Sequence, residues 1–224
     1  TPEGNIILST SVGISPTLVM KAKHLLIELN EAHAGKLNGM HDIYLPEMPP
    51  YRKPFMITSP GDRIGTTYVE VDPNKVLGIV ETNMTDNQAG FKPLDDDTRA
   101  IGAHVSNFLV SELKRGGIPK EFLPLQSGVG NIANAVIGAL GDNPDVPAFS
   151  MFTEVIQNSV IDLMLKGRCN YVTGSSLSLT DDALDVMYKN MDVFGKRVLL
   201  RPQEITNHPE CIRRLGIIAL NTAL

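Results

Sequence analysis

A glutamate and a glycine-rich turn are the residues of this chain whose types and spacing could do chemistry. Glu154 follows the apolar residues 148–152, and the turn of residues 126–132 precedes them by one short helical segment. A carboxylate at the end of an apolar strand, beside a turn with free backbone N–H groups at a helix start, has what nucleophilic catalysis on an acyl group requires. The alternative is a solvated strand-end glutamate next to an ordinary strand-to-helix turn, since such turns are common.

A sheet must hold these residues, and the sequence predicts one in the second part of the chain. Short apolar runs alternate there with helical segments. The predicted strands are 123–126, 148–152, 171–173, 198–200 and 216–220, with helices near Ala133, Val160, Leu184 and Ile212. Strands joined by helices of this length indicate an α/β fold whose sheets are mostly parallel and covered by helices, with ligands outside the carboxyl ends of the strands. Glu154 falls just past such an end.

The first part of the chain shows a related pattern. Residues 6–9, 25–29 and 76–80 are predicted to be buried strands because they are continuous apolar runs. A helix is expected to begin near Ser15 and Pro16, since proline is well tolerated at the first helical position. With this helix, the strands 6–9 and 25–29 are expected to form a strand-helix-strand unit.

The polar stretch 81–97 separates the two parts and is low in apolar residues, so it is the best linker candidate. The first domain is therefore placed at residues 1–94 and the second at residues 95–224. Asp97 is expected to cap the first helix of the second domain, which Gly116 and Gly117 end.

Composition indicates a globular protein and excludes several classes of partner. The 224 residues are 42% hydrophobic, and the formal net charge of −5 argues against a nucleic-acid or anionic-membrane partner. No signal-peptide pattern or long apolar run is visible. Cys169 and Cys211 lack CxxC spacing and lie in segments that are predicted to be a buried strand and a helix, which predicts reduced structural thiols. A cytoplasmic location is expected, with the mitochondrial matrix as the alternative.

Long sequence words, in order, connect the chain to a known family. Residues 125–136 and 152–157 resemble the acetyl-CoA hydrolase/transferase family, class I CoA-transferases of the succinyl-CoA:acetate type. Four further segments resemble the same family: 59–65, 96–101, 203–210 and 212–216. The resemblance implies parts of two α/β CoA-transferase domains and an enzyme that moves CoA between small carboxylic acids, with succinyl-CoA or acetyl-CoA and acetate as expected substrates. The alternatives are an acetyl-CoA hydrolase using the same glutamate and a CoA-binding module without turnover.

The resemblance also assigns roles to single residues. Glu154 would attack the acyl-CoA thioester and then carry CoA as a glutamyl thioester. The backbone N–H of Val129 would bind the oxyanion of each tetrahedral intermediate. The CoA-binding turn would comprise Gly128, Val129, Gly130, Asn131 and Ile132.

Asn207 matches a family asparagine that faces the pocket for the acyl carboxylate. It could equally be the N-cap of a helix over residues 209–215, where asparagine is a preferred residue. His208 is expected to be a surface helix residue, because a relay through Glu154 needs no histidine. Arg63 could pair with a phosphate or carboxylate, or it could stabilise its own turn through a salt bridge.

Family members are longer and carry a late Gly-Gly-Ser-Gly-Asp loop that supplies a second oxyanion donor. We therefore expect this sequence to be the central part of a longer protein, a homodimer at full length. CoA is expected as a substrate, with acyl-CoA and small carboxylates as partners and no tightly bound cofactor. No metal is expected, because helix capping and solvation account for the aspartates at residues 95–97.

Overall fold

The computed structural model describes residues 1–33, 35–86, 88, 90 and 93–220, and these contain parallel sheets with flanking helices. The strands are β1 (Leu25–Asn30), β2 (Val76–Thr82), β3 (Leu125–Ser127), β4 (Phe149–Phe152), β5 (Val155–Gln157), β6 (Cys169–Gly174), β7 (Ser176–Ser178), β8 (Val198–Leu200) and β9 (Ile218–Leu220). The helices are α1 (Ser15–Lys21), α2 (Asp96–Lys114), α3 (Asn131–Asp142), α4 (Asn158–Leu165), α5 (Asp181–Lys189), α6 (Met191–Phe194), α7 (Gln203–Thr206) and α8 (Pro209–Leu215).

A five-stranded sheet in the order β8-β6-β4-β3-β9 organises the second part of the chain. Every pair in it is parallel, and the connections carry helices, as the alternating apolar pattern predicts. Two small parallel sheets accompany it, β1 with β2 and β5 with β7. The predicted α/β fold with parallel sheets and flanking helices is therefore confirmed.

The inner strands of the sheet are largely buried because they carry many apolar side chains and helices pack against them. β8 is buried along all three residues, and α4 packs against β6. Helix α3 packs on α2, where a side chain at Gly102 would lie 2.6 Å from the carbonyl oxygen of Ala135. Glycine at that position lets the two helices approach closely. Within the described ranges, no helix combines the length and apolar composition that a membrane crossing needs.

The first predicted buried strand of the chain is corrected by the structure. Residues 6–9 do not form a strand: Ile6 makes one antiparallel bridge to Val69. Farther along, Thr10 accepts a hydrogen bond from Leu177 instead. The segment changes partner within a few residues, so no ladder can form. Residues 6–9 are also only half-buried, so the apolar pattern predicted neither their burial nor their pairing.

β1 and β2 form at the predicted places, but they are not buried. Leu26 and Leu29 are 73% and 53% exposed, and Leu77 and Ile79 are 66% and 62% exposed. Parallel sheets are normally covered on both faces. Nothing within the described residues covers these side chains, so the prediction of burial is wrong for both strands.

The cap of α2 is also corrected. Asp95, not Asp97, is the N-cap, and its carboxylate accepts a hydrogen bond from the backbone N–H of Thr98 at 2.8 Å. Asp95 has the extended backbone that a cap needs, whereas Asp97 already lies in the first helical turn. The predicted end is confirmed, because α2 stops at Lys114 and Gly116 has a positive φ of 81°.

The predicted linker at residues 81–97 lies partly outside the described residues. One apolar cluster includes Val12, Leu37 and Met40 from the first part together with Val172 and Leu200 from the large sheet. Side chains from both sides of the proposed boundary at residue 94 thus share a core. The boundary itself stays a prediction.

Candidate active site

The carboxyl ends of four parallel strands meet at one edge of the large sheet. β3, β4, β6 and β8 end at Ser127, Phe152, Gly174 and Leu200. Polar or glycine residues follow each end, where open α/β sheets bind ligands. Glu154 and the turn of residues 128–132 therefore lie at the same edge, as the sequence predicted.

Thr153 and Gln157 fix the glutamate segment to the glycine turn. The Thr153 hydroxyl donates to the carbonyl oxygen of Ser127 at 3.1 Å and accepts from its N–H at 3.3 Å. Gln157 Nε2 donates to the carbonyl oxygen of Gly128 at 2.9 Å. The first contact joins the ends of the neighbouring strands β3 and β4, and the second joins β5 to the turn, so residue 154 is held between two contacts to the glycine turn.

The backbone of Glu154 is held rigidly, while its carboxylate is only partly engaged. Its carbonyl oxygen accepts from Ser175 N at 2.7 Å, Ser175 Oγ at 3.0 Å and Ser176 N at 3.2 Å. The half-buried carboxylate accepts one hydrogen bond, from Gln203 Nε2 to Oε1 at 2.9 Å. Among the described residues no hydrogen bond reaches Oε2. Within the part of the chain that the structure describes, one carboxylate oxygen is therefore held and the other is not.

Several backbone N–H groups of the glycine turn have no hydrogen-bond partner within the described ranges, whereas Gly128 N donates to the carbonyl oxygen of Leu220 at 3.0 Å. Val129 is 57% exposed, and its N–H has no hydrogen-bond partner among the residues that the structure describes. Gly130 is the N-cap of α3 with φ 121°, which L side chains rarely adopt, and no side chain caps the helix. The first amides of α3, from Asn131 and Ile132, are therefore open as well. Such a helix start favours an anionic group.

Asn207 is joined to the glutamate through α7. Its N–H donates to the carbonyl oxygen of Gln203 at 3.0 Å, and its exposed side chain accepts from the Thr206 hydroxyl at 3.3 Å. The alternative role as N-cap of α8 is wrong. His208 is the N-cap of α8, and its Nδ1 accepts a hydrogen bond from Glu210 N at 3.2 Å. It therefore precedes the helix and is not a surface residue within it.

Sequence reasoning missed Gln203 and the supporting residues Thr153, Gln157 and Ser175. A signal was present for three of them, because Thr153, Ser175 and Gln203 come within three residues of a predicted or observed strand end. The rule that placed Glu154 at the sheet edge applies to these residues too. Their pairing could not be read from the sequence, since it depends on which strands are neighbours.

Arg63 has a structural role, although not as a salt bridge. Its guanidinium donates to the carbonyl oxygens of Gly39 and His41 at 2.8 and 3.0 Å, and no ion pair in the described part of the chain includes it. The fixed contacts explain why a charged side chain lies in this loop. An anion site at Arg63 is therefore not supported.

Metal and thiol chemistry find no support at this edge. Within the described ranges, no group of three or more His, Cys, Asp or Glu residues could hold a metal ion. Cys169 and Cys211 are free and buried, and burial raises the pKa of Cys169 to about 12. A shallow cavity lies elsewhere on the protein and is lined by Glu47, Met48, Tyr51 and Lys53.

Comparison with known proteins extends these observations. Residues 1–81 match the family described as Acetyl-CoA hydrolase/transferase N-terminal domain. The chain is 45% identical over 223 residues to Propanoyl-CoA:succinate CoA transferase from Escherichia coli, covering 100% of this chain and 45% of that protein. It is 41% identical over 222 residues to Acetyl-CoA hydrolase from Yarrowia lipolytica, covering 99% of this chain and 42% of that protein.

The fold has a counterpart among solved structures. A 4-hydroxybutyrate CoA-transferase from Porphyromonas gingivalis superposes with a TM-score of 0.63 at 18% identity, over 99% of this chain and 47% of that one. At this identity the likeness concerns the fold alone. The chain spans less than half the length of the relatives it matches.

Proposed function

We propose that the chain belongs to the acetyl-CoA hydrolase/transferase family and transfers CoA between small carboxylic acids through a covalent thioester on Glu154. The observation that carries this proposal is the Glu154 carboxylate itself. It stands at a strand end with one oxygen held at 2.9 Å by Gln203, beside the N–H groups of Val129, Asn131 and Ile132, which have no hydrogen-bond partner among the described residues. A positioned, partly free carboxylate next to fixed N–H donors suits acyl transfer.

The relay conserves atoms and charge at each step. A Glu154 oxygen attacks the acyl-CoA carbonyl, the C–S bond breaks, and CoA leaves as the thiolate from a mixed anhydride. The thiolate attacks the glutamyl carbonyl, which releases the donor acid as its carboxylate and leaves a glutamyl-CoA thioester. An incoming carboxylate reverses both steps and becomes the new acyl-CoA. Splitting one difficult exchange into such steps is the advantage of a covalent intermediate.

Each tetrahedral intermediate carries an oxyanion, and the Val129 N–H is the proposed donor to it. The unpaired state of this amide supports the role, because a donor already bonded inside the fold would have to break that bond first. Loss of one such donor typically costs roughly 3 to 4 kcal/mol of transition-state stabilisation. The residues 128–132 are proposed to receive the CoA end of the substrate at the same helix start.

Asn207 is proposed to bind the carboxylate of the acceptor acid. Its amide oxygen already accepts from Thr206, which leaves the Nδ2 hydrogens to donate. A carboxylate is an acceptor only, so the amide presents the complementary group. Helix α7 would thus place Gln203, which contacts the nucleophile, and Asn207, which would bind the acceptor acid, one turn apart.

Hydrolysis is the second candidate function, favoured by the similarity to the Yarrowia lipolytica hydrolase. Water would then open the same glutamyl-CoA thioester in place of a carboxylic acid. Turnover of acyl-CoA that depends on added acetate or succinate favours transfer, whereas turnover without an acid favours hydrolysis. Bound acyl-CoA that stays intact over time would instead identify a non-catalytic binding module.

Trapping the intermediate tests the proposal. The full-length protein is incubated with succinyl-CoA or propanoyl-CoA in the absence of acceptor acid, and its intact mass is measured. Borohydride reduction and peptide mapping should then place the modification on Glu154. Glu154→Gln should form no adduct and lose transfer by about 10⁴-fold or more.

Glu121→Gln is the matched control, because Glu121 is an exposed glutamate outside the proposed site. It should form the adduct as the wild type does. Modification of Cys169 or Cys211 in place of Glu154 would contradict the relay.

A further inference from the structure

Gln203 contacts the proposed nucleophile directly. Its Nε2 donates to Glu154 Oε1 at 2.9 Å, and the side chain is half-buried. It is the first residue of α7 and lies three residues after the end of β8. The contact joins two strand ends that are not neighbours in the sheet, since β6 lies between β4 and β8.

The backbone around Gln203 is fixed on both sides. Gln203 N donates to the carbonyl oxygen of Gly13 at 2.9 Å, and Arg201 N donates to that of Gly174 at 2.8 Å. The Arg201 side chain is fully buried in an ion pair with Asp42. Asp42 in turn accepts from the N–H of Gly65 at 2.7 Å. The amide of Gln203 is therefore presented from a rigid support, which positions a functional group well.

We propose that Gln203 is the positioning residue for the Glu154 nucleophile, an inference that rests on the proposed function. A primary amide is suited to this task because it donates a hydrogen bond without a charge. It orients the carboxylate, whereas an arginine or lysine would neutralise the nucleophile in an ion pair. By holding Oε1, the amide leaves Oε2 as the oxygen that attacks the thioester.

The same helix extends the effect to the acceptor acid. The Gln203 carbonyl oxygen accepts from Asn207 N at 3.0 Å, so these two residues bracket one turn of α7. Gln203 thus sets both the orientation of the nucleophile and the start of the segment that carries Asn207. A shift of this residue would misplace two functional groups together.

Single-turnover kinetics of the full-length enzyme test the inference. Gln203→Met keeps the length of the side chain but removes the donor, and it should slow glutamyl-CoA formation about ten- to a hundredfold. Because the contact orients the attacking atom, kcat and kcat/KM should fall equally. Gln88→Met is the matched control: Gln88 is exposed, contacts Ser178 and should keep wild-type kinetics. A rise in KM at unchanged kcat would overturn the inference.

A second variant separates orientation from folding. Gln203→Glu keeps the shape of the side chain but places a second carboxylate against that of Glu154. At neutral pH it should therefore slow glutamyl-CoA formation more than Gln203→Met does. On acidification a proton shared by the two carboxyl groups replaces the missing donor. The rate of glutamyl-CoA formation by Gln203→Glu should therefore approach that of the wild type measured at the same low pH. A loss independent of pH would show a merely structural role and overturn the inference.

NMR of the free protein distinguishes failure of this inference from failure of the relay. The side-chain amide protons of Gln203 should show one slowly exchanging, downfield signal in the wild type, and Glu154→Ala should shift it. An unresponsive amide in a protein that still forms the glutamyl adduct would overturn the role of Gln203 alone. A responsive amide in a wild type that forms no adduct would keep the contact and reject the relay.

Discussion

The carboxyl edge of the large sheet and the β1–β2 sheet differ although both are parallel and apolar. Phe152, Val172 and Leu199 of the large sheet are completely buried. Leu26 and Leu77 of the small sheet are 73% and 66% exposed, despite a register of six paired residues. Apolar sequence and parallel pairing therefore do not decide burial. The neighbours that cover the strands decide it.

The two regions also differ in how their polar groups are used. At the carboxyl edge, Thr153, Ser175 and Gln203 each bond to another strand end. In the small sheet, Thr82 donates to Glu28 at 2.6 Å across an exposed surface. Buried hydrogen bonds define a single geometry, while exposed ones compete with water. The edge is thus the region in which substitutions should have the largest consequences.

Removing a buried charge should give the largest effect on stability. Asp42→Ala leaves Arg201 fully buried without its partner and should lower the free energy of unfolding by about 3 to 5 kcal/mol. Glu28→Ala removes the exposed contact to Thr82 and should cost about 1 kcal/mol or less. Urea unfolding of the two variants measures both values. Equal losses of unfolding free energy in the two variants would mean that buried and exposed polar contacts stabilise the two regions alike.

Matched leucines test the apolar side of the comparison. Leu199→Ala opens a cavity in the large sheet and should cost about 2 to 5 kcal/mol. Leu77→Ala changes a side chain that is 66% exposed and should stay within about 0.5 kcal/mol. Midpoints of urea unfolding at one protein concentration supply the comparison. A large loss at Leu77 would mean that its side chain is covered in solution.

Asn207→Ala tests whether the edge binds the acceptor acid. Loss of one hydrogen bond to a charged group should weaken acid binding by about 1.5 to 3 kcal/mol, seen as a raised KM for acetate or succinate. The KM for acyl-CoA should change little. Asn190→Ala is the control, because Asn190 donates to the carbonyl oxygen of Val186 at a helix end away from the edge. Equal effects on both substrates would reject a specific role in acid binding.

The smallest expected effect concerns pH. His41 forms an isolated parallel β-bridge with Leu200 at the edge and is fully buried. This burial lowers the pKa of His41 below its ordinary value of 6.5. Below that value the unfolded chain takes up a proton that the folded protein does not, so stability falls with falling pH. His41→Gln should flatten this acid dependence in urea unfolding. Above about pH 8 both states hold the imidazole neutral, and the two stability curves should run parallel there.

Particular residues show how far the sequence reaches. The strand at 198–200, the end of α2 near Gly116 and the position of Glu154 past β4 were all predicted and confirmed. The predicted cap at Asp97 was wrong by two residues, because three adjacent aspartates offer equivalent side chains and only the backbone selects one. Gln203 was missed as a partner of Glu154, since 49 residues separate them and only the fold brings them into contact.

By itself the sequence determined the parallel α/β class, the edge at which Glu154 lies and the resemblance to a family, because period, strand ends and long motifs are local properties of the chain. Only the tertiary structure decided which strands are neighbours. It thereby decided that Gln203 holds Glu154, that Arg201 and Asp42 pair in the core and that β1 and β2 remain exposed. The physical reason is that burial and long-range hydrogen bonds depend on what packs against a residue, which its neighbours along the chain do not specify.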